Sequence, residues 1–142
     1  MFQILFVLHF IGLALGVGTG FAMLTLGKST ADMPMEARTQ FMLRAMVLSK
    51  NGSIGLLLLV VSGLGMMAVK GFGAVLAWGG PLFHAKLTLV VVMMGLLGYM
   101  QVLGKKVKAA GGGPLMAKLP KVGGAMLLLG ITVVTLAVFA FG

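Results

Sequence analysis

The sequence predicts an all-α integral membrane protein: a single four-helix transmembrane bundle spanning residues 1–142, with both termini on the outer side. Three observations carry this prediction. Of 142 residues, 60% are hydrophobic and 9% charged, and the mean hydropathy of +1.15 is far outside the range of a soluble domain. Four apolar stretches, residues 2–26, 45–69, 82–103 and 122–141, each come close to the ~20 residues that a helix needs to cross ~30 Å of hydrocarbon. None shows the two-residue alternation of a barrel strand, and lipid offers the backbone no hydrogen-bonding partner, so these runs are helices. The basic residues supply the third observation. Lys28, Arg38, Arg44 and Lys50 lie between the first two segments, and Lys105, Lys106, Lys108, Lys118 and Lys121 between the last two, against Lys70 alone on the opposite side. The positive-inside rule then places loops 27–44 and 104–121 in the cytoplasm of a bacterial cell, with the chain multi-pass in the inner membrane.

The first segment lacks a basic leader region, and its apolar run is too long for a cleavable signal, so it is read as a spanning helix. His9, Gly12, Gly16 and Gly20 follow one another at intervals of three, four and four residues, which aligns them on one face. Such a face serves as a small-residue seam for a neighbouring helix. It also admits a planar ligand held by His9, and the two uses are compatible. The tetrad Gly27 to Thr30 resembles the end of a phosphate-binding loop, but Ala22 stands where the opening glycine belongs and no strand precedes it.

Between Asp32 and Lys50 charge and apolar residues mix, and Pro34 sits where a helix can begin, which predicts a short amphipathic lead-in on the interface running into segment two. Segment two holds Asn51, Ser53 and Ser62 among Gly52, Gly55, Gly63 and Gly65, a composition suited to close helix packing. Gly71 to Gly80 reads as an outer turn, with Trp78 as an interfacial anchor. Segment three carries His84 and Lys86 near its start and Tyr99 near its end. The loop 104–121, with Gly111 to Gly113 followed by Pro114, is expected to be irregular, and segment four is scaffold.

This inventory excludes several kinds of chemistry. There is no cysteine, so disulfides and thiolate metal sites are absent. The two acids, Asp32 and Glu36, both lie in a loop, so no carboxylate pair forms within the bilayer. The net charge of +9 sits beside the hydrophobic ends rather than on a soluble domain, which argues against nucleic acid and for the lipid bilayer as partner.

What remains inside is His9, Lys86, Tyr99, hydroxyls and 13 methionines. An ionisable side chain in hydrocarbon is a site by default. Segments one and three enter from the same side, so His9 and His84 both fall in the outer half and are candidates to ligate a haem iron from opposite faces. At ~1.5 Å per residue His9 is about 10 Å deep and His84 about 3 Å, so level ligation requires a tilt. His84 as an interfacial histidine bonded to water or headgroups is the other reading. Lys86 stands roughly 200° around the helix from His84 and does not share its face. It either snorkels outward or offers a cation to an anionic group of the substrate. The thioethers suit Cu(I), but Met66 with Met67 and Met93 with Met94 are adjacent pairs that point apart, a pattern of packing.

The run LFHAKLTLVVVMMGLLGYMQVLGKKV, with His9 and Gly12 in the first helix, resembles the HemJ-type membrane protoporphyrinogen oxidases. In that family the third helix begins with a His-x-Lys-Leu pattern, matched here by His84 to Leu87. The resemblance implies a b-type haem ligated by His9, with His84 and Lys86 associated with the haem or porphyrin site; with the reading of the residues above, His84 is the candidate second iron ligand, Gly12 and Gly16 lie along the cofactor face, and Lys86 is the candidate catalytic residue. It further implies oxidation of protoporphyrinogen IX, the porphyrin substrate, with electrons passing to an acceptor in the membrane. Two other readings remain open. One is a non-enzymatic accessory or scaffold subunit of a larger membrane complex or homo-oligomer; the other, copper handling, requires methionines converging on one face.

Overall fold

The structure is a computed structural model and describes residues 1–141. Helix α1 (Phe2–Ser29) leads through a turn to α2 (Met35–Ala45), α3 (Leu48–Lys70), α4 (Phe72–Ala109), a single 3-10 turn (Pro114–Ala117) and α5 (Lys118–Phe141). Four of these units, α1, α2 with α3, α4, and α5, are long and apolar enough to cross a membrane. The architecture is therefore the all-helical four-helix bundle of a multi-pass membrane protein.

Local chemistry explains where the helices stop. Thr30 turns its hydroxyl back to the Leu26 carbonyl at 2.8 Å and ends α1, so the Gly27–Thr30 tetrad is a helix terminus and not a phosphate loop. Pro34 immediately precedes α2, where its fixed φ suits helix entry. The lead-in runs on into segment two: Met46 and Val47, between α2 and α3, both keep right-handed helical dihedrals, and Met35–Lys70 forms one membrane-length unit.

Two sequence expectations are corrected. Residues 72–79 are helical rather than an outer turn, and Gly71 alone joins α3 to α4. The break comes at Gly80, whose φ of 58° and ψ of −159° interrupt α4. Pro81 supplies the cause, because a residue before proline is driven out of the α region and the proline has no N–H to donate. The basic loop is also mostly ordered, since α4 continues to Ala109 and α5 begins at Lys118. Only the reversal at Gly111, Gly112 and Gly113 is irregular, with φ of 66°, 117° and 84°, a left-handed path that glycine alone follows at no steric cost.

The helices pack as two intimate antiparallel pairs, α1 with α3 and α4 with α5. Further contacts join α1 to α5, and α3 touches α4 only sparsely. The first pair closes at glycines. A Cβ on Gly55 would lie 2.6 Å from the Gly16 nitrogen and 2.7 Å from the Gly12 carbonyl oxygen, so the two backbones are in direct contact. At one end Lys70 lies over the Phe2 ring, 4.9 Å from its centroid. At the other, Met46 packs on Gly104, Thr39 on Gly112, and Gln101 donates to the Ser53 hydroxyl at 2.6 Å. Val107, Leu103 and Met46 form the most enclosed apolar cluster at that end, while Ile4, Val91, Leu128 and Phe139 face outward as a lipid-exposed exterior requires.

Gly55→Ala is expected to force α1 and α3 apart and to destabilise the bundle by about 1–3 kcal/mol, the usual cost of overpacking. Gly18→Ala, at an exposed position with open space around its Cβ, should stay within about 0.5 kcal/mol of the parent. Unfolding in a graded series of denaturing detergent measures both.

Candidate functional site

The α1/α3 contact fixes the position of His9. One turn beyond Gly12, the imidazole lies against α3 with its Nδ1 2.9 Å from the Ser62 hydroxyl. Ser62 is 2% exposed, one of two buried polar residues among those described. Its own proton is committed to the Leu58 carbonyl one turn back along α3. With that proton committed, the Ser62 oxygen accepts from Nδ1, and in a neutral imidazole Nε2 then keeps its lone pair. Gly63 makes room for the ring: a Cβ there would sit 3.5 Å from the imidazole Cε1.

His9 also lines a cleft of about 1820 Å³ between the two helix pairs. Lys86 lines it from α4. Its ammonium sits 5.7 Å from the centroid of Phe83, a ring only 4% exposed, which is the range of a cation–π contact. The cleft thus combines a nitrogen lone pair and a cation in apolar surroundings, the elements that bind and orient an anionic, metal-bearing or planar ligand. Ten of the 13 methionines line it, all but Met1, Met33 and Met94. Met93 and Met94 point apart as expected, but Met66 and Met67 both reach the cleft. The methionines are strung along its whole length from α1 to α5 rather than gathered about one point, an arrangement that gives a soft, conformable wall.

The structure brings together some of the residues singled out from sequence and separates others. Lys86 turns inward while His84 is exposed and stands outside the cleft, as the 200° between them requires. The His84 Nδ1 donates to the Gly80 carbonyl at 2.8 Å, and the Thr88 hydroxyl donates to the His84 carbonyl at 3.0 Å. His84 therefore caps the α4 kink, and the two histidines do not line a common cavity. Gly12 is buried against Gly55 and Leu59, so its face is filled by α3 and unavailable to a ligand. Gly16 touches Gly55 through its nitrogen yet leaves open space where a Cβ would stand, and it does line the cleft. Gly20 packs on Leu127 of α5. Trp78 lies within the first arm of α4 and is 70% exposed; Tyr99 is exposed as well. Ser62 and Gly63 escaped the sequence reading as parts of the site, although a hydroxyl beside a glycine in a membrane helix is the type of position that accepts an interhelical hydrogen bond.

Among the described residues no group of three or more His, Asp or Glu side chains is placed to hold a metal ion. No family model matches the chain, and neither a curated protein nor a solved structure matches it.

Nitrogen-15 spectra of histidine-labelled protein should show His9 as the Nδ1–H tautomer. Ser62→Ala should abolish that preference and lower stability by about 1 kcal/mol, the scale of hydrogen bonds between membrane helices. An unchanged tautomer in the variant would remove Ser62 as its cause.

Proposed function

We propose that the protein is a haem-binding redox protein of the membrane, with His9 Nε2 as iron ligand and Lys86 as the cation facing a haem carboxylate. The observation that carries this reading is the bond from His9 Nδ1 to Ser62, which leaves Nε2 basic on a residue that lines a large apolar cleft. A second-shell acceptor on the far nitrogen is how ligating histidines are held in proteins. The residues present fit the group: the cleft exceeds the ~300–1,000 Å³ of ordinary small-molecule pockets, its walls are apolar, and it holds both an imidazole and a half-buried lysine.

Haem would supply one-electron redox chemistry in that cleft. The chain's own residues do the rest. Ser62 orients the imidazole, Gly16 and Gly63 leave space for a flat ligand, and Lys86 with Phe83 fixes the position of a carboxylate. The resemblance of His84 to Leu87 to the HemJ-type pattern favours protoporphyrinogen IX as the substrate, with electrons leaving to an acceptor in the bilayer. In this reading His84 acts through the α4 kink that directs Lys86 inward, and not as a second iron ligand. The excess of basic residues at one end favours that end as cytoplasmic, in a bacterial inner membrane.

The purified protein, oxidised and then reduced with dithionite, should show a Soret band and a sharp reduced α band. His9→Ala should abolish both, whereas His84→Ala should retain them because His84 stands outside the cleft. Lys86→Met should weaken haem retention by roughly tenfold, the loss of one buried charge-assisted contact. A featureless spectrum that persists after haem is added would refute the proposal and favour an accessory subunit, to be sought by co-purification of partners.

A further inference from the structure

The cleft has a second polar feature that a His9-bound ligand does not reach. Lys28, Arg38, Lys50, Lys105 and Lys108 line its mouth at the basic end, and neither Asp32 nor Glu36 does. Nineteen residues of α1 separate His9 from Lys28, about 28 Å along the helix axis at ~1.5 Å per residue. The five cations come from α1, α2, α3 and α4, so they do not form the flanking stripe of one helix. Arg44, Lys106, Lys118 and Lys121 belong to the same end of the bundle but lie outside the cleft.

We propose that this mouth binds the headgroup of an anionic phospholipid from the surrounding bilayer, with the acyl chains lying in the cleft between the two helix pairs. Charge complementarity identifies the headgroup, since five cations converge without a carboxylate among them. The apolar wall beyond them identifies the tails. At about 1820 Å³ the space is larger than a soluble metabolite fills, and the methionine-rich lining suits chains of variable shape. The sparse contact between α3 and α4 provides a side entrance from the membrane: the two helices are tied near Ser53 and Gln101 and again at Gly71, with few contacts between. This inference is tested apart from the haem proposal, because the headgroup cations stand at the opposite end of the cleft from His9.

Native mass spectrometry of the detergent-purified protein, given equal amounts of phosphatidylglycerol and phosphatidylcholine with identical oleoyl chains, tests it. Phosphatidylglycerol should be retained preferentially. Combining Arg38→Gln with Lys105→Gln should weaken that retention by about fivefold per charge, and combining Lys118→Gln with Lys121→Gln should leave it unchanged. Gly124→Phe should also reduce it, because Gly124 lines the cleft with open space around its Cβ, so the ring occupies the path of the chains without altering charge. Equal retention of both lipids, or equal loss from the inner and outer pairs, would overturn the proposal. So would competition by glycerol 3-phosphate at the lipid's own concentration, which would make the mouth a site for small anions. Circular dichroism and a monodisperse elution profile confirm that each variant is folded, and the charge variants decide the matter if Gly124→Phe is not.

Discussion

The backbone contact between α1 and α3 at Gly12, Gly16 and Gly55 is the constraint from which the rest of the molecule follows. Lipid tails are as apolar as leucine, so burying leucine between membrane helices gains little, and association depends on close packing and hydrogen bonds. Glycine permits both here. Removing three side chains lets main-chain atoms touch, and once they do the antiparallel register is set. Leu5 meets Gly65, His9 meets Ser62 and Thr19 meets Gly52 in step along the pair. The hydrogen bond from His9 to Ser62 depends on that register, because a shift by one residue would turn the imidazole away from the hydroxyl.

The two histidines show how position decides chemistry. Both carry a hydrogen on Nδ1 that is given to an oxygen, yet one acceptor is the hydroxyl of another helix and the other is a carbonyl freed at a kink in the same helix. His9 is thereby a tertiary feature, oriented by packing, and lies beside a cavity. His84 is a local feature that compensates for the break imposed by Gly80 and Pro81. The kink also divides α4 into an arm that carries the exposed Trp78 and an arm whose Lys86 lines the cleft.

Two tight pairs that meet loosely leave space between them. The two most enclosed apolar side chains, Val107 and Leu103, lie at the basic end, where Thr39 and Met46 hold the glycines of the α4–α5 hairpin. Elsewhere the interior is a cleft walled by thioethers. Methionine is suited to such a wall because its unbranched, polarisable side chain fills irregular gaps and yields to a guest. Cations line this space at its basic mouth, at Lys86 and, at the opposite end, at Lys70, and no acid does, so the charge along it is of one sign.

The sequence by itself determined the class of the protein. Spans of membrane length, the one-sided excess of lysine and arginine, and the absence of cysteine and of intramembrane acids are properties of composition and order, so they survive any arrangement of the helices. It also determined relative angles: His84 and Lys86 had to face apart, and His9 had to share a face with Gly12 and Gly16. Only the tertiary structure decided which of those faces looks inward. Each spanning helix is apolar all round, so periodicity carries no signal of which side is core, and nothing in the order of residues says that Gly12 is filled by α3 while Gly16 is open to a cavity. The helical arm at residues 72–79, the Ser62 partner of His9 and the cleft itself were hidden for the same physical reason. Each arises from the way one helix meets another, and in a bilayer that meeting is governed by backbone proximity and single hydrogen bonds rather than by a hydrophobic pattern legible along the chain.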